Sequence, residues 1–269
     1  MSGADRISSI ALCWRIERRD GVTIALTDHD RDLSIGDDLY RAAPGMTPSA
    51  IVRSEGLDAA TMEARGALHA AAITARDLAA GRWDGARVVA FAIDWSDAGT
   101  LPVPLAEGRM GEVTVADGGF AAELQGAAAR LERPVTEATS PGCRAVLGDA
   151  RCRVAMAGRR RFARVVASAG TALTLDAAEP LDDAYGDGRV RWLGGANAGL
   201  ETAVARSHGA GVTLRTPPAF SVAAGALVEL IEGCDGTIAT CASRFGNVAN
   251  FRGEPYLPGM DLLTRYPGA

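Results

Sequence analysis

LCWRIERRDGVTIAL, residues 12 to 26, alternates apolar and polar residues on both sides of a turn signal. Leu12, Trp14 and Ile16 share one face of the first arm, and Val22, Ile24 and Leu26 share one face of the second. That period of two belongs to strands, since a helix brings residues three and four apart onto one face. Asp20-Gly21 supplies the tight turn, so residues 11 to 27 read as a β-hairpin.

The same reasoning carries along the chain. A second short hairpin is expected around Gly36-Asp37, with Leu33, Ile35, Leu39 and Tyr40 as its apolar positions. Thr74 and Asp77 form a capping-box-like pair and Gly81 a stop, which predicts one short helix between them. RVVAFAIDW, residues 87 to 95, reads as a buried strand. FAAELQGAAARLE, residues 120 to 132, has helical composition yet suits a strand and turn equally, and Pro134 ends it in either case. PVTEATSPG, residues 134 to 142, has linker chemistry and marks a domain boundary, giving domains 1–138 and 139–269.

Beyond the boundary, short apolar runs recur at 162–166, 173–175, 190–193, 202–205, 212–214 and 227–231. Gly- and Asp-rich turns separate them, and this spacing predicts a small β-barrel or sandwich over about 160–232. RFGNVANFRGEPYLPGMD, which follows, is too rich in Gly, Pro and Asn for regular structure. The expected fold is mostly β: an N-terminal β-rich domain, then a barrel-like domain.

Composition narrows the function classes. The 269 residues suffice for two cores, and 33 acidic residues outnumber the 28 basic ones, all of which are arginine. A mildly acidic chain has no global attraction for nucleic acid or anionic membrane, so no direct nucleic-acid partner is expected. No apolar run approaches the ~18 residues of a membrane span, and no basic and apolar leader opens the chain. A soluble protein made in a reducing compartment is the expectation.

Several local motifs carry little. DHDRD, residues 28 to 32, has the alternating acids of a calcium loop, but Leu33 and Leu39 stand where its glycine and bidentate glutamate belong. GGANAG, residues 194 to 199, departs from the dinucleotide fingerprint and reads as a glycine-rich turn. His29, His69 and His208 are scattered, and no nucleophile elbow is present. RRR, residues 159 to 161, has no interleaved aromatics to stack bases.

The strongest chemical signal is two pairs of cysteines, Cys143 and Cys152 in CRAVLGDARC, and Cys234 and Cys241 in CDGTIATC. On one helix the first pair would lie about 13 Å apart on opposite faces. On one strand the second would span roughly 23 Å. Gly148-Asp149 and Asp235-Gly236 are the turn signals that can fold each pair back on itself. Four soft thiolates converging on one point suit a metal centre, either zinc or an iron–sulfur cluster. Buried thiols acting as small hydrophobes are a competing reading. Two disulfides with one thiol left over are another, disfavoured by the odd count and the absence of a leader. Arg144, Arg151, Arg153, Arg159, Arg160, Arg161 and Arg164 surround the first pair and are expected to offset the excess negative charge. Cys13, in an alternating strand, projects away from Leu12 and Trp14 and has no cysteine partner nearby.

LCWRIERRDGVTIALTDHDRDL with YRAAPG, SPGCRAVLGDARC, and GCDGTIATCASRFGNVANFRGEPYLPG together resemble the phage and gene-transfer-agent tail hub proteins. This family of conserved prophage proteins is related in its C-terminal part to lambda-type tail tip protein L. The resemblance covers nearly the whole chain. It implies a homotrimeric, β-rich hub of the distal tail tip or baseplate of a siphovirus-like particle, assembled in the bacterial cytoplasm beside a distal tail protein and a central fibre or tip protein. It implies a structural [4Fe–4S] cluster held by Cys143, Cys152, Cys234 and Cys241, with zinc as the alternative metal and no enzymatic activity. The stretch between the pairs is longer here than in the tail tip pattern and holds the extra strands. A cell-wall hydrolase or a redox enzyme is the alternative class, for which neither a nucleophile–base pair nor a second cofactor site is legible.

Overall fold

The structure, a computed structural model, describes residues 9–43, 47–48, 61–67, 73–97, 101–116, 119–126 and 136–257. The chain divides into two compact units, Met1–Val135 and Thr136–Ala269. No helix among the described residues is long and apolar enough to cross a membrane.

The N-terminal unit is built on the hairpin of β1 (Ile10–Glu17) and β2 (Thr23–Thr27), antiparallel with Trp14 opposite Leu26. A second hairpin, β3 (Leu33–Ile35) and β4 (Asp38–Ala42), attaches through a parallel pairing of β4 with β2. Then come β5 (Thr47–Pro48), β6 (Thr61–Ala67), the short helix α1 (Ala75–Ala79), β7 (Arg87–Asp94), β8 (Val103–Ala116) and β9 (Gly119–Gln125). The nine strands form one sheet in the order β3-β4-β2-β1-β7-β8-β9-β6-β5.

Alternation sorts the side chains onto two faces. Trp14, Ile16, Leu26, Val88, Ala90 and Met110 pack on one, beneath Ile73, Leu78 and Trp83 from the α1 segment. Ala11, Cys13, Phe91 and Ile93 pack on the other, where Tyr40 covers them. Each such large side chain contributes roughly 1.5–3 kcal/mol by leaving water. Helix α1 starts where its capping pair predicts, with Thr74 Oγ1 accepting from Asp77 N, and stops at Gly81, whose φ is +72°. The ambiguous stretch at 120–132 is strand as far as Gln125, and its residues 127–132 lie outside the described residues. DHDRD is a strand connection: Asp28 Oδ1 accepts from Leu12 N at 2.7 Å and Asp32 Oδ1 from Ala42 N at 2.9 Å.

In the C-terminal unit β10 (Arg160–Ala169), β11 (Ala172–Leu175), β12 (Arg189–Trp192), β13 (Glu201–His208), β14 (Gly211–Leu214) and β15 (Leu227–Ile231) close a barrel in the order β10-β11-β14-β13-β12-β15. Closure leaves no free sheet edge. Its interior is filled by Val165, Leu173, Val190, Trp192, Val204 and Leu230, all nearly inaccessible to solvent. The indole N–H of Trp192 donates to Thr202 Oγ1 at 3.0 Å, so the largest core side chain has its polar atom satisfied. GGANAG forms the turn before β13. Buried Asn197 in it donates to Phe220 O and accepts from Phe220 N, stapling two loops together.

The barrel begins and ends at one place. Arg160 on β10 pairs with Ile231 on β15, and Glu232 N donates to Arg159 O at 3.0 Å. The strands inserted between the cysteine pairs therefore leave Cys152 and Cys234 on neighbouring chain segments.

Candidate metal centre

The segment carrying Cys143 and Cys152 folds back at Gly148-Asp149. Gly148 has a φ of +81°, and a Cβ there would lie 2.3 Å from Met156 Cγ, so both backbone conformation and space require glycine. The Asp149 carboxylate organises the return, accepting from Val146 N at 3.0 Å, Arg151 N at 2.9 Å and Cys152 N at 2.6 Å. Those amides, the Cys152 N–H foremost, hold its carboxyl below the usual range.

Asp235-Gly236 makes the second bend, and Asp235 accepts from Thr237 N at 2.9 Å and Thr240 Oγ1 at 2.8 Å. Thr237 then caps a one-turn helix, α2 (Ile238–Ser243), whose buried face carries Cys241. That helix is absent from the sequence expectation, which placed only a bend in CDGTIATC.

The two pairs are joined by backbone and side-chain bonds. Cys143 N donates to Gly236 O at 2.8 Å, and Asn247 Nδ2 donates to Cys152 O at 2.6 Å. Residues 247–254 of the Gly- and Asn-rich tail lie against the cysteine segments, with Arg144 N donating to Arg252 O and Glu254 N to Ser140 O. Burial pushes the Cys234 and Cys241 thiols up, and each is pushed further by the other cysteines of the set. The four thiols thus share one electrostatic neighbourhood. All four cysteines are free of disulfides, as is Cys13. Among the described residues, the His, Cys, Asp and Glu ligand atoms that close to within 4.8 Å of one another as a group of three are those of Glu179, Asp182 and His208.

Each sulfur also meets an N–H donor. Arg252 N donates to Cys143 Sγ at 3.3 Å and Asn247 Nδ2 approaches Cys152 Sγ at 3.7 Å. The backbone N–H groups of Gly236 and Asn247 favour the thiolates of Cys234 and Cys241. Four sulfurs with amide donors fit a soft, thiolate-bound group.

Four of the seven arginines expected as counter-charge, Arg144, Arg151, Arg159 and Arg160, are paired with carboxylates. Arg144 makes a two-pronged contact with Glu254, at 2.6 and 2.8 Å, and a third bond to Glu137, which also takes Arg151. Arg159 is bound by Glu232 at 2.7 Å, and the same oxygen accepts from Arg244 at 2.9 Å.

The Arg144 clamp has a pH consequence. Arg144 holds the Glu254 carboxyl down to about 2, well below the ~4.3 of a free glutamate. Its stabilising contribution is complete above the unfolded value and is lost as pH falls through the folded one. The tail is therefore expected to loosen as pH drops from roughly 4.3 toward about 2. Amide exchange at 252–257 tracks this, and the Glu254→Gln variant should show no such step.

The Glu179, Asp182 and His208 group is a loop brace. Glu179 accepts from Ala184 N, Gly209 N and the Ser207 hydroxyl, while Asp182 and His208 pair with each other at the surface. Cys13 lies in the N-terminal unit, fully buried with its Sγ 3.5 Å from Thr27 Oγ1. It packs with Ala11 on the face opposite Trp14, as the alternation predicts.

Comparison with known proteins places this architecture. The family model described as baseplate hub protein, N-terminal attachment domain, matches residues 4–155. A second model, phage conserved hypothetical protein BR0599, matches residues 183–261. A chain in a solved structure entitled "Virion of native gene transfer agent (GTA) particle" is 34% identical, with a TM-score of 0.84 over 98% of this chain and 93% of that one. No curated protein matches. With more than half its length on the first model and nearly all of it on a virion chain, this protein belongs to the baseplate hub protein family.

Proposed function

We propose that the protein is a structural hub of the distal tail tip of a phage-like or gene-transfer-agent particle. Three copies close a ring, and Cys143, Cys152, Cys234 and Cys241 hold a structural [4Fe–4S] cluster. The observation that carries the reading is the likeness to a virion chain along nearly the whole sequence, barrel and cysteine segments included. The role is one of assembly rather than turnover. His29 accepts from Arg31 N, pairs with exposed Asp30 and lies tilted against Trp95, and His208 sits exposed beside Asp182. Neither arrangement resembles a base poised on a nucleophile.

The resemblance of the two cysteine segments to the tail tip pattern favours a cluster over zinc. When bound, the cluster would cross-link segments that have few apolar contacts of their own and so contribute folding free energy.

Anaerobic purification with iron, zinc and acid-labile sulfide analysis tests the cofactor. Four irons and four sulfides per chain are expected, whereas stoichiometric zinc without sulfide would keep the ligands and replace the metal. Electron microscopy of the assembled particle tests the ring. Three copies around the tail axis, touching a distal tail protein on one side and a central fibre or tip protein on the other, are expected. One or two copies there would overturn the trimer.

A further inference from the structure

We propose that Asn247 is a positioning residue of the four-cysteine centre, fastening Cys152 of the first pair to Cys241 of the second. Its side chain donates to Cys152 O at 2.6 Å and approaches Cys152 Sγ at 3.7 Å from the same nitrogen. Its backbone N–H donates to Cys241 O at 3.0 Å. One residue thus touches one member of each pair across 95 positions of sequence that include the whole barrel.

The amide orientation follows from its neighbours. Asn250 Nδ2 donates to Asn247 Oδ1 at 2.7 Å, and the Cys152 carbonyl is only an acceptor, so the NH₂ must face the cysteine. Asn247 O also accepts from Asn250 N at 3.0 Å, closing the 3-10 turn Val248–Asn250 beneath it. The side chain is half-buried and oriented at both ends, as a residue that positions a metal ligand needs to be. Cys143 N to Gly236 O also links the pairs, but it is backbone to backbone and any residue can supply it. The Asn247 link depends on side-chain identity.

The proposal rests on reading the four cysteines as ligands of an iron–sulfur cluster, and its test separates the two. Full-length parent, Asn247→Asp, Asn247→Ala and Asn250→Ala proteins are purified anaerobically. Each is measured for iron and sulfide content, rate of iron loss to a ferrous chelator, and midpoint potential. Aspartate keeps the oxygen that accepts from Asn250 but replaces the donor with a carboxylate facing the Cys152 carbonyl and sulfur. It should lose iron about 10–100-fold faster than the parent, the range for substitution of a residue that orients a metal ligand. The midpoint potential should fall, because an N–H donor to sulfur is removed and negative charge added. Alanine should show the faster loss with a smaller fall in potential. Asn250→Ala, which removes only the bond orienting the amide, should show both effects in milder form and keeps the test open if the Asn247 variants fail to fold. Parental iron-loss rate and potential in all three variants would overturn the role of Asn247. A parent free of iron and sulfide would overturn the cluster reading itself, and the proposal with it.

Discussion

Replacing Glu232 by alanine is expected to cost the C-terminal unit about 3 kcal/mol, the lower end of the ~3–5 kcal/mol lost when one partner of a buried ion pair is removed. Glu232 is 5% exposed and one of its oxygens binds two guanidiniums, Arg159 at 2.7 Å and Arg244 at 2.9 Å. Arg159 follows the first cysteine pair, Arg244 follows the second, and Glu232 ends the barrel two residues before Cys234. Both guanidiniums also lie over the Phe245 ring, within about 5 Å of its centroid, so their positions are fixed from two sides. Without the carboxylate, two positive charges face each other in a half-buried site. The low end of the range applies because Arg159 is a quarter exposed and water recovers part of its charge. Arg41→Ala serves as the contrast: its ion pair with Asp32 is solvent-exposed and lies in the other unit, so it should leave the protection of β10 and β15 at the parental level. Two compact units need not unfold in one step, so the measurement is amide exchange of β10 and β15 in graded urea. Protection within 1 kcal/mol of the parent in Glu232→Ala would show that the cysteine segments are held to the barrel by other means.

Which parts of the fold were readable follows from how local their causes are. The first hairpin, the capping pair of α1 and the six barrel strands are written in alternation and turn residues a few positions apart, and the structure has them where those signals lie. Strand β8 is not written that way. Pro104, Gly108 and Gly111 interrupt its pattern, and a register shift between Met110 and Val113 breaks the alternation that would have marked it. β6 and β9, TMEARGA and GFAAELQ, contain mostly helix formers, yet they pair with each other along seven residues. Their strand state comes from neighbours, which a local propensity cannot contain.

The candidate centre divides along the same line. Gly148-Asp149 and Asp235-Gly236 announce their bends because each aspartate caps amides within three residues of itself. The partners of Arg144, Arg159 and Asn247 are 110, 73 and 95 residues away, and no short window shows them. A count of nearby basic residues does not show which of them carboxylates engage. Glu254 and Glu232 come from beyond the inserted strands and become neighbours of Arg144 and Arg159 only when the barrel closes, whereas Glu137 lies 7 residues from Arg144.

Single Cys→Ser substitutions at 143, 152, 234 and 241 are expected to remove most of the bound iron, whereas Cys13→Ser should keep it. Serine exchanges a soft, ionisable thiolate for a hard hydroxyl that stays protonated at neutral pH, so each ligand lost leaves one corner of the group open. The loss should not be equal at the four positions. Cys241 is buried on a capped helix, which holds its side chain whether or not a metal is present. Cys152 depends for its position on Asp149 and Asn247, so Cys241→Ser should leave more of the local chain arranged for a substitute ligand from solvent than Cys152→Ser does. Cys13 is enclosed by Ala11, Tyr40, Phe91 and Ile93 in the other compact unit. Serine there buries a hydroxyl that can bond Thr27 Oγ1, at a cost of about 1 kcal/mol to that unit and none to iron content. Iron and sulfide analysis of the five anaerobically purified variants, with the visible absorbance of each, reads the outcome. Unchanged iron in the four variants, or its loss in Cys13→Ser alone, would remove the ligand set. Retention of zinc by Cys13→Ser, with no sulfide in any protein, would leave the ligands in place and exchange the cluster for a single ion.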